Sequence, residues 1–236
     1  MAVLGSRLDP GADAYRANRA ANLELLAELE RLLAQARAGG GARYVERHRA
    51  RGKLLARERV ELLVDRDGPF LELSPLAAWG TDFPVGASGV TGVGPVAGVE
   101  CVVTASDPTV RGGATNPFGL RKTLRAMEIA ERNRLPLVQL IESSGADLPT
   151  QSQIFIPGGA VFANLTRLSR AGIPTLALVF GNSTAGGAYV PGLSDHTIMV
   201  RERAKVFLGG PPPARASASS RSSSASSSRL AARLAR

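Results

Sequence analysis

Between Val99 and Val200, short apolar runs alternate with stretches of helical periodicity. This alternation limits the fold more than any other feature. Val99 to Ala105, Leu137 to Ile141, Thr175 to Phe180 and Thr197 to Val200 are each strand-length and mostly apolar. Strands buried on both faces look like this. Between them, Leu124, Met127 and Ala130 mark a helix over 120–134. Phe162, Leu165 and Leu168 mark another, closed by Gly172 with Pro174 beyond. Strands alternating with helices predict an α/β domain. Val85 to Gly98, rich in Gly and Val, predicts short strands and tight turns ahead of it.

The region before this domain differs. Residues 18–38 predict a helix, with Leu25, Leu29 and Leu32 along one face as the core stripe and Gly39-Gly40-Gly41 as its stop. A basic stretch follows, carrying Arg47, Arg49, Arg51, Lys53, Arg57 and Arg59. Such a run is expected to be a solvated helix face or an interface arm, with a polyanionic ligand as the alternative. Residues 1–60 therefore form a helical, basic arm, and 61–212 the α/β domain. Residues 213–236 form a Ser/Ala/Arg tail with too little apolar content to fold, expected to be disordered.

The tail distorts the charge balance. Its last 23 residues hold five arginines and no acid, so the +9 of the whole chain falls to +4 without them. A nucleic-acid role for the folded part is not supported by the pI. No apolar run approaches the roughly 20 residues of a membrane span. The first residues lack a signal-peptide core. A single cysteine, Cys101, excludes an internal disulfide, and a reducing, cytoplasmic setting is expected.

Two strand ends carry similar punctuation. Leu137 to Ile141 leads into Glu142-Ser143-Ser144-Gly145-Ala146-Asp147, and Thr175 to Phe180 into Gly181-Asn182-Ser183-Thr184-Ala185-Gly186-Gly187. The second runs on into Tyr189-Val190-Pro191, a possible short helix. A strand, a glycine turn and a helix start together aim unpaired N–H groups at one point. If the strands are neighbours, one N–H from each turn can bind a single carbonyl oxygen and form an oxyanion hole. Tight turns or close helix packing explain the same glycines.

Other residues offer less. His48 and His196 have no partner at triad or metal spacing, and no metal site is expected. Cys101 lies in a strand and is expected to pack in the core. Ser143, Ser144 and Ser183 lack the G-x-S-x-G elbow of a hydrolase nucleophile. Arg111, in Asp107-Pro108-Thr109-Val110-Arg111-Gly112-Gly113, is a candidate for a phosphate, although most such arginines are simply solvated. No Walker or G-x-G-x-x-G motif supports ATP or dinucleotide binding.

At these residues the chain resembles the carboxyltransferase (beta) subunit of biotin-dependent acyl-CoA carboxylases, nearest the methylcrotonoyl-CoA and propionyl-CoA group. The likeness is carried by 51–63, Asp107 to Gly113, Glu142 to Pro149, Ile173-Pro174, Gly181 to Pro191, and Val206 to Pro212. It runs from about residue 15 to Pro212. The resemblance implies a crotonase-like fold of repeated ββα units. It implies a reaction in which carboxybiotin, carried by a biotin carboxylase or biotin carboxyl carrier partner, gives CO₂ to the enolate of an acyl-CoA. It places Gly186 and Gly187 as the backbone donors to the thioester oxygen and Gly145 and Ala146 on the opposing wall. Ala185 and Arg111 fall on the acyl-CoA side, and a homo-oligomer is implied.

The sequence departs from the family in three places. Ser144 stands where the family has a second glycine, so its backbone must adopt an ordinary angle. Ala114-Thr115-Asn116-Pro117 replaces a more aromatic run, which bears on the acyl chain. After Pro212 the family continues into a second crotonase-like domain that forms the biotin side of the site; here the Ser/Ala/Arg segment follows. An out-of-frame stretch of GC-rich coding DNA is the expected cause, checked by resequencing around the Pro211 codon. Three functions stand open at this point. They are the acyl-CoA half of a carboxyltransferase, an inactive fragment with residual CoA binding, and a stand-alone crotonase-type hydratase or isomerase using Glu142 or Asp147 as base.

Overall fold

A computed structural model describes residues 5–6 and 8–209. The Ser/Ala/Arg tail lies outside the described residues. Three helices come first: α1 (Asp13–Arg37), α2 (Ala42–Arg49) and α3 (Ala56–Leu63). A seven-stranded sheet follows, built from β1 (Leu71–Glu72), β2 (Gly89–Val96), β3 (Val99–Ser106), β4 (Leu137–Ser143), β5 (Thr175–Thr184), β6 (His196–Met199) and β7 (Lys205–Phe207). Helices α4 (Pro117–Asn133) and α5 (Gln151–Arg170) connect β3 to β4 and β4 to β5. The short α6 (Gly186–Leu193) follows β5.

The first three strands pair antiparallel, and β3 to β6 run parallel in chain order. The sheet is covered on both sides. Val102, Leu137, Met127, Leu165, Leu168 and Ile173 join α4 and α5 to one face. Val60, Val90, Cys101, Val103 and Leu140 join α3 to the other. Burial on both faces is why β4 carries Leu137, Val138, Leu140 and Ile141 on both rows of its alternating side chains, since neither row meets water.

Helix α4 begins where Asn116 accepts hydrogen bonds from Phe118 N (3.0 Å) and Gly119 N (2.9 Å) through Oδ1, with Pro117 at the first helical position. It ends at Arg134, in the left-handed region.

Three expectations are corrected. Strand β5 does not end at Phe180: Asn182 to Thr184 continue it by pairing with β7, a three-residue strand too short to carry a periodic signal. Helix α5 begins eleven residues before Phe162, at Gln151. The leucine stripe of α1 is not a core stripe. Leu32 is buried, but Leu25, Leu26 and Leu29 are exposed.

Candidate functional site

Parallel strands deliver their C-terminal ends to one edge of the sheet, and crevices outside that edge are where open α/β sheets bind ligands. Here β4 and β5 are direct neighbours, in register from Leu137↔Thr175 to Ile141↔Val179. A bulge then brings Ser143 opposite Ser183. The condition for two facing turns is therefore met.

The turns touch. Gly145 takes φ +98°, and a Cβ placed on it would lie 3.1 Å from the Thr184 carbonyl oxygen and 3.7 Å from the Ala185 Cβ. A third loop closes against them. Ser144 N donates to Gly112 O (3.0 Å), and a Cβ on Gly113 would fall 2.3 Å from the Glu142 carbonyl oxygen. Segments 107–113, 144–147 and 185–187, far apart in sequence, thus form one wall.

Within that wall the backbone donors divide into used and unused groups. Gly145 N–H donates to Ser143 Oγ (3.1 Å). Thr115 N donates to Gly145 O (2.8 Å), and Asp147 N to Thr115 O (2.9 Å). This pairing turns the Ala146 N–H outward, without an acceptor among the described residues. On the second turn, Ala185 N donates to Phe207 O and Ala188 N to Ala185 O, each at 2.9 Å. Gly186 and Gly187 open α6, and neither donates a hydrogen bond among the described residues. These are the orphan N–H groups of a helix start. Ser183 Oγ donates to Gly187 O (2.9 Å) and holds the turn from behind. The unused donors are therefore Ala146, Gly186 and Gly187, with Gly145 shaping the approach.

Ala185 pays a conformational cost to make this turn, at φ 51° and ψ −121°. That region belongs to glycine, and a side chain there signals strain held by its surroundings. Ser144 is not among the residues with positive φ, so the serine at that position sits without strain.

The other candidates are accounted for. Ser143 and Ser183 are buried and spend their hydroxyls on the turns. Arg111 pairs with Asp147 (3.2 and 3.4 Å) and lies over the Phe83 ring at 5.0 Å, its side chain 44% exposed. Asp147 also accepts from Thr150 Oγ1 (2.9 Å). His196 lies exposed on β6. Burial pushes the Cys101 thiol up, which fits a packing role. Among the described residues no group of His, Cys, Asp and Glu is placed to hold a metal ion, and no helix is long and apolar enough to cross a membrane.

The basic stretch is where the sequence misled most. Lys53 and Arg59 point inward and both bind Glu142; Arg57 forms a two-pronged pair with Glu72 (2.7 and 2.8 Å). His48 is buried beside them, and burial lowers its pKa. Burial also pushes the Glu142 carboxyl up. The hydrogen bonds and charges of Lys53 and Arg59 outweigh it, leaving Glu142 below its ordinary value. Sequence offered no signal for the Lys53 and Arg59 pairs, because Glu142 lies more than 80 residues away.

Residues 47–232 match the carboxyl transferase domain family. The chain is 65% identical over 210 residues to a probable biotin-dependent acyl-coenzyme A carboxylase beta2 subunit of Mycobacterium tuberculosis, covering 89% of this chain and 40% of that protein. It is 45% identical over 221 residues to a probable mitochondrial methylcrotonoyl-CoA carboxylase beta chain of Drosophila melanogaster, covering 91% and 38%. The crystal structure of the P. aeruginosa geranyl-CoA carboxylase beta subunit superposes with a TM-score of 0.82 at 44% identity, covering 89% and 40%. The chain thus spans about two-fifths of the length of these relatives.

Proposed function

The chain belongs to the carboxyl transferase domain family, with acyl-CoA carboxylase beta subunits as its relatives, and we propose that it forms the acyl-CoA-binding half of a biotin-dependent carboxyltransferase. One observation carries this: two turns in contact, at the ends of neighbouring parallel strands, present the unengaged N–H groups of Ala146, Gly186 and Gly187.

The chemistry follows from those donors. Carboxylation at carbon needs an enolate, and the negative charge of an enolate sits largely on the thioester oxygen. Backbone N–H groups fixed by a sheet and a helix start need no reorganisation as that charge grows. One such donor contributes roughly 3 kcal/mol to a transition state. The start of α6 adds the positive end of its dipole. Gly186, Gly187 and Ala146 would hold the oxygen. Gly145 would leave room for the thioester, and Ala185 would set the angle of the turn. Arg111, half exposed beyond its pair with Asp147, retains N–H groups for the phosphates of coenzyme A.

Biotin, brought by a carrier partner, supplies the CO₂ for transfer. The residues here fit a thioester oxygen, which accepts from backbone N–H groups, and Ala146, Gly186 and Gly187 are left free to donate. A stand-alone hydratase would need Glu142 or Asp147 as a free base. Glu142 is bound by two cations on the arm side of the sheet, and Asp147 is held by Arg111 and Thr150.

Calorimetry with methylcrotonoyl-CoA, crotonyl-CoA and free coenzyme A tests the proposal. Both thioesters are expected to bind more tightly than coenzyme A, and Gly186→Pro, which removes one N–H at a position where helices tolerate proline, to narrow the difference. Crotonyl-CoA is expected to remain unhydrated without a biotin carrier. Equal binding of the thioesters and free coenzyme A would overturn the thioester site.

A further inference from the structure

The basic arm reaches into the molecule at one point, immediately behind the two turns. Glu142, the penultimate residue of β4, has a side chain only 8% exposed. Its Oε1 takes Lys53, and its Oε2 takes Arg59 Nη2 at 2.7 Å. Arg59, 4% exposed, also lies over the Phe180 ring of β5 at 4.5 Å. The carboxyl fits only because position 181 is glycine: a Cβ there would fall 2.6 Å from Glu142 Cδ and Oε1. Arg203 Nη1 donates to Gly52 O (2.8 Å), which fixes the loop carrying Lys53 from the side of β6 and β7.

This cluster spans both strands just before they diverge. The next residue after Glu142 is Ser143, whose hydroxyl holds the Gly145 N–H. The Glu142 carbonyl oxygen is the surface on which Gly113 packs. Its N–H donates to Ser106 Oγ (2.8 Å), tying it to β3. A buried carboxylate between a buried and a half-buried cation is a poor way to gain stability, because desolvation cancels most of the attraction. What it provides is direction: the two charged hydrogen bonds hold β4 to the arm, and Arg59, stacked on Phe180, carries the hold across to β5.

We propose that Lys53, Arg59 and Glu142 form a positioning clamp that sets the spacing of the Gly145-Ala146 and Gly186-Gly187 turns, so that the N-terminal arm is a working part of the thioester site. None of the three touches the substrate. The clamp acts through the ends of β4 and β5. This rests on the thioester-binding proposal above, and the test separates the two.

The test measures dissociation constants for a crotonyl thioester and for the thioether analogue that lacks the carbonyl oxygen. Glu142→Gln keeps the side-chain shape and removes the charge. Lys53→Met leaves the Arg59–Glu142 pair in place and serves if the first variant folds poorly. The clamp predicts that each variant loses about three- to tenfold in thioester affinity, the worth of one hydrogen bond, with thioether affinity unchanged. Adding Arg59→Lys, which keeps the charge without the fork, is expected to give a smaller loss. A merely structural role would lower both affinities together, and that result overturns the clamp, as does thioester affinity unchanged in both variants. If the unaltered chain fails to distinguish thioester from thioether, the thioester site itself falls and takes the clamp with it.

Discussion

Ala185 is the most strained residue next to the candidate oxyanion site, and its strain is measurable. At φ 51° and ψ −121° a Cβ costs about 1–3 kcal/mol. Elsewhere an alanine-to-glycine change destabilises by roughly 0.5–1 kcal/mol through chain entropy. Ala185→Gly is therefore expected to be neutral or to raise stability by about 1 kcal/mol, read from urea unfolding, because relief of strain exceeds the entropy term. A clear loss of stability would mean that the alanine methyl is held by packing that outweighs its backbone. Lys122 is a second costly residue. Burial drives its pKa down from 10.5 to about 8, against the pull of Glu72 and with Arg57 adding to the fall, and its ammonium donates to Gly89 O (2.8 Å). The folded value lies below the unfolded one. The unfolded chain therefore binds more protons between about pH 8 and 10.5, and stability rises with pH across that window. Below pH 8 the charged lysine costs the fold about 3 kcal/mol at most. Lys122→Met should abolish the alkaline rise. It should also stabilise the protein at pH 7 by about 2 kcal/mol once the lost hydrogen bond is subtracted. Unfolding curves at pH 7 and pH 10 check both effects.

Among the elements, α4 shows how one polar residue at a helix start becomes structure. Asn116, 1% exposed, caps the helix with its oxygen, while its nitrogen donates to Ala87 O (3.3 Å) and Ser88 Oγ (3.2 Å). Thr115, beside it, orients the Ala146 turn. Asn116→Ala removes a cap and leaves buried partners unsatisfied, so a loss of about 2–3 kcal/mol is expected by denaturant titration. A loss below about 0.5 kcal/mol would mean that water replaces the amide. Asn116→Asp should recover the cap but not the bonds to Ala87 and Ser88. The helices and parallel strands were legible in the sequence because each writes its burial locally: β4 as an apolar run broken only by Gln139 before Glu142, α4 as Leu124, Met127 and Ala130. The two glycine turns were legible for the same reason. What was not legible is set by partners distant in the chain. Asn182 to Thr184 extend β5 because Lys205–Phe207 lie beside them. Lys53 and Arg59 look like solvated cations until Glu142 is placed against them. The choice of Ala146 over Gly145 as the unengaged donor depends on one serine hydroxyl and one bridge to Thr115.

At the scale of the molecule, the unresolved energy lies in α1. Periodicity identified its apolar face correctly, but periodicity says only which face is apolar, not what covers it. The C-terminal end is anchored: Leu32 is buried, and Gly40 packs so closely on Thr109 that a Cβ would fall 1.9 Å from its carbonyl oxygen. Earlier along the helix, Leu23, Leu25, Leu26 and Leu29 are 47%, 69%, 52% and 39% exposed. Fully burying a leucine is worth about 1.5–3 kcal/mol, so these four together offer several kcal/mol to any surface that covers them. Single exposed leucines need no explanation, but a contiguous apolar stripe on a helix marks an association face. Self-association through α1 is therefore expected, seen as a rise in sedimentation mass with concentration over the micromolar range. Leu25→Lys with Leu29→Lys should restore the monomer mass with little change in the unfolding midpoint, because neither side chain packs in the core. Thioester binding should also survive, since the turns that form the site lie at the sheet edge and are braced by α3, not α1. If the double variant unfolds instead, the stripe is holding the arm to its own domain. If the original chain stays monomeric throughout, the stripe is not an association face for this chain.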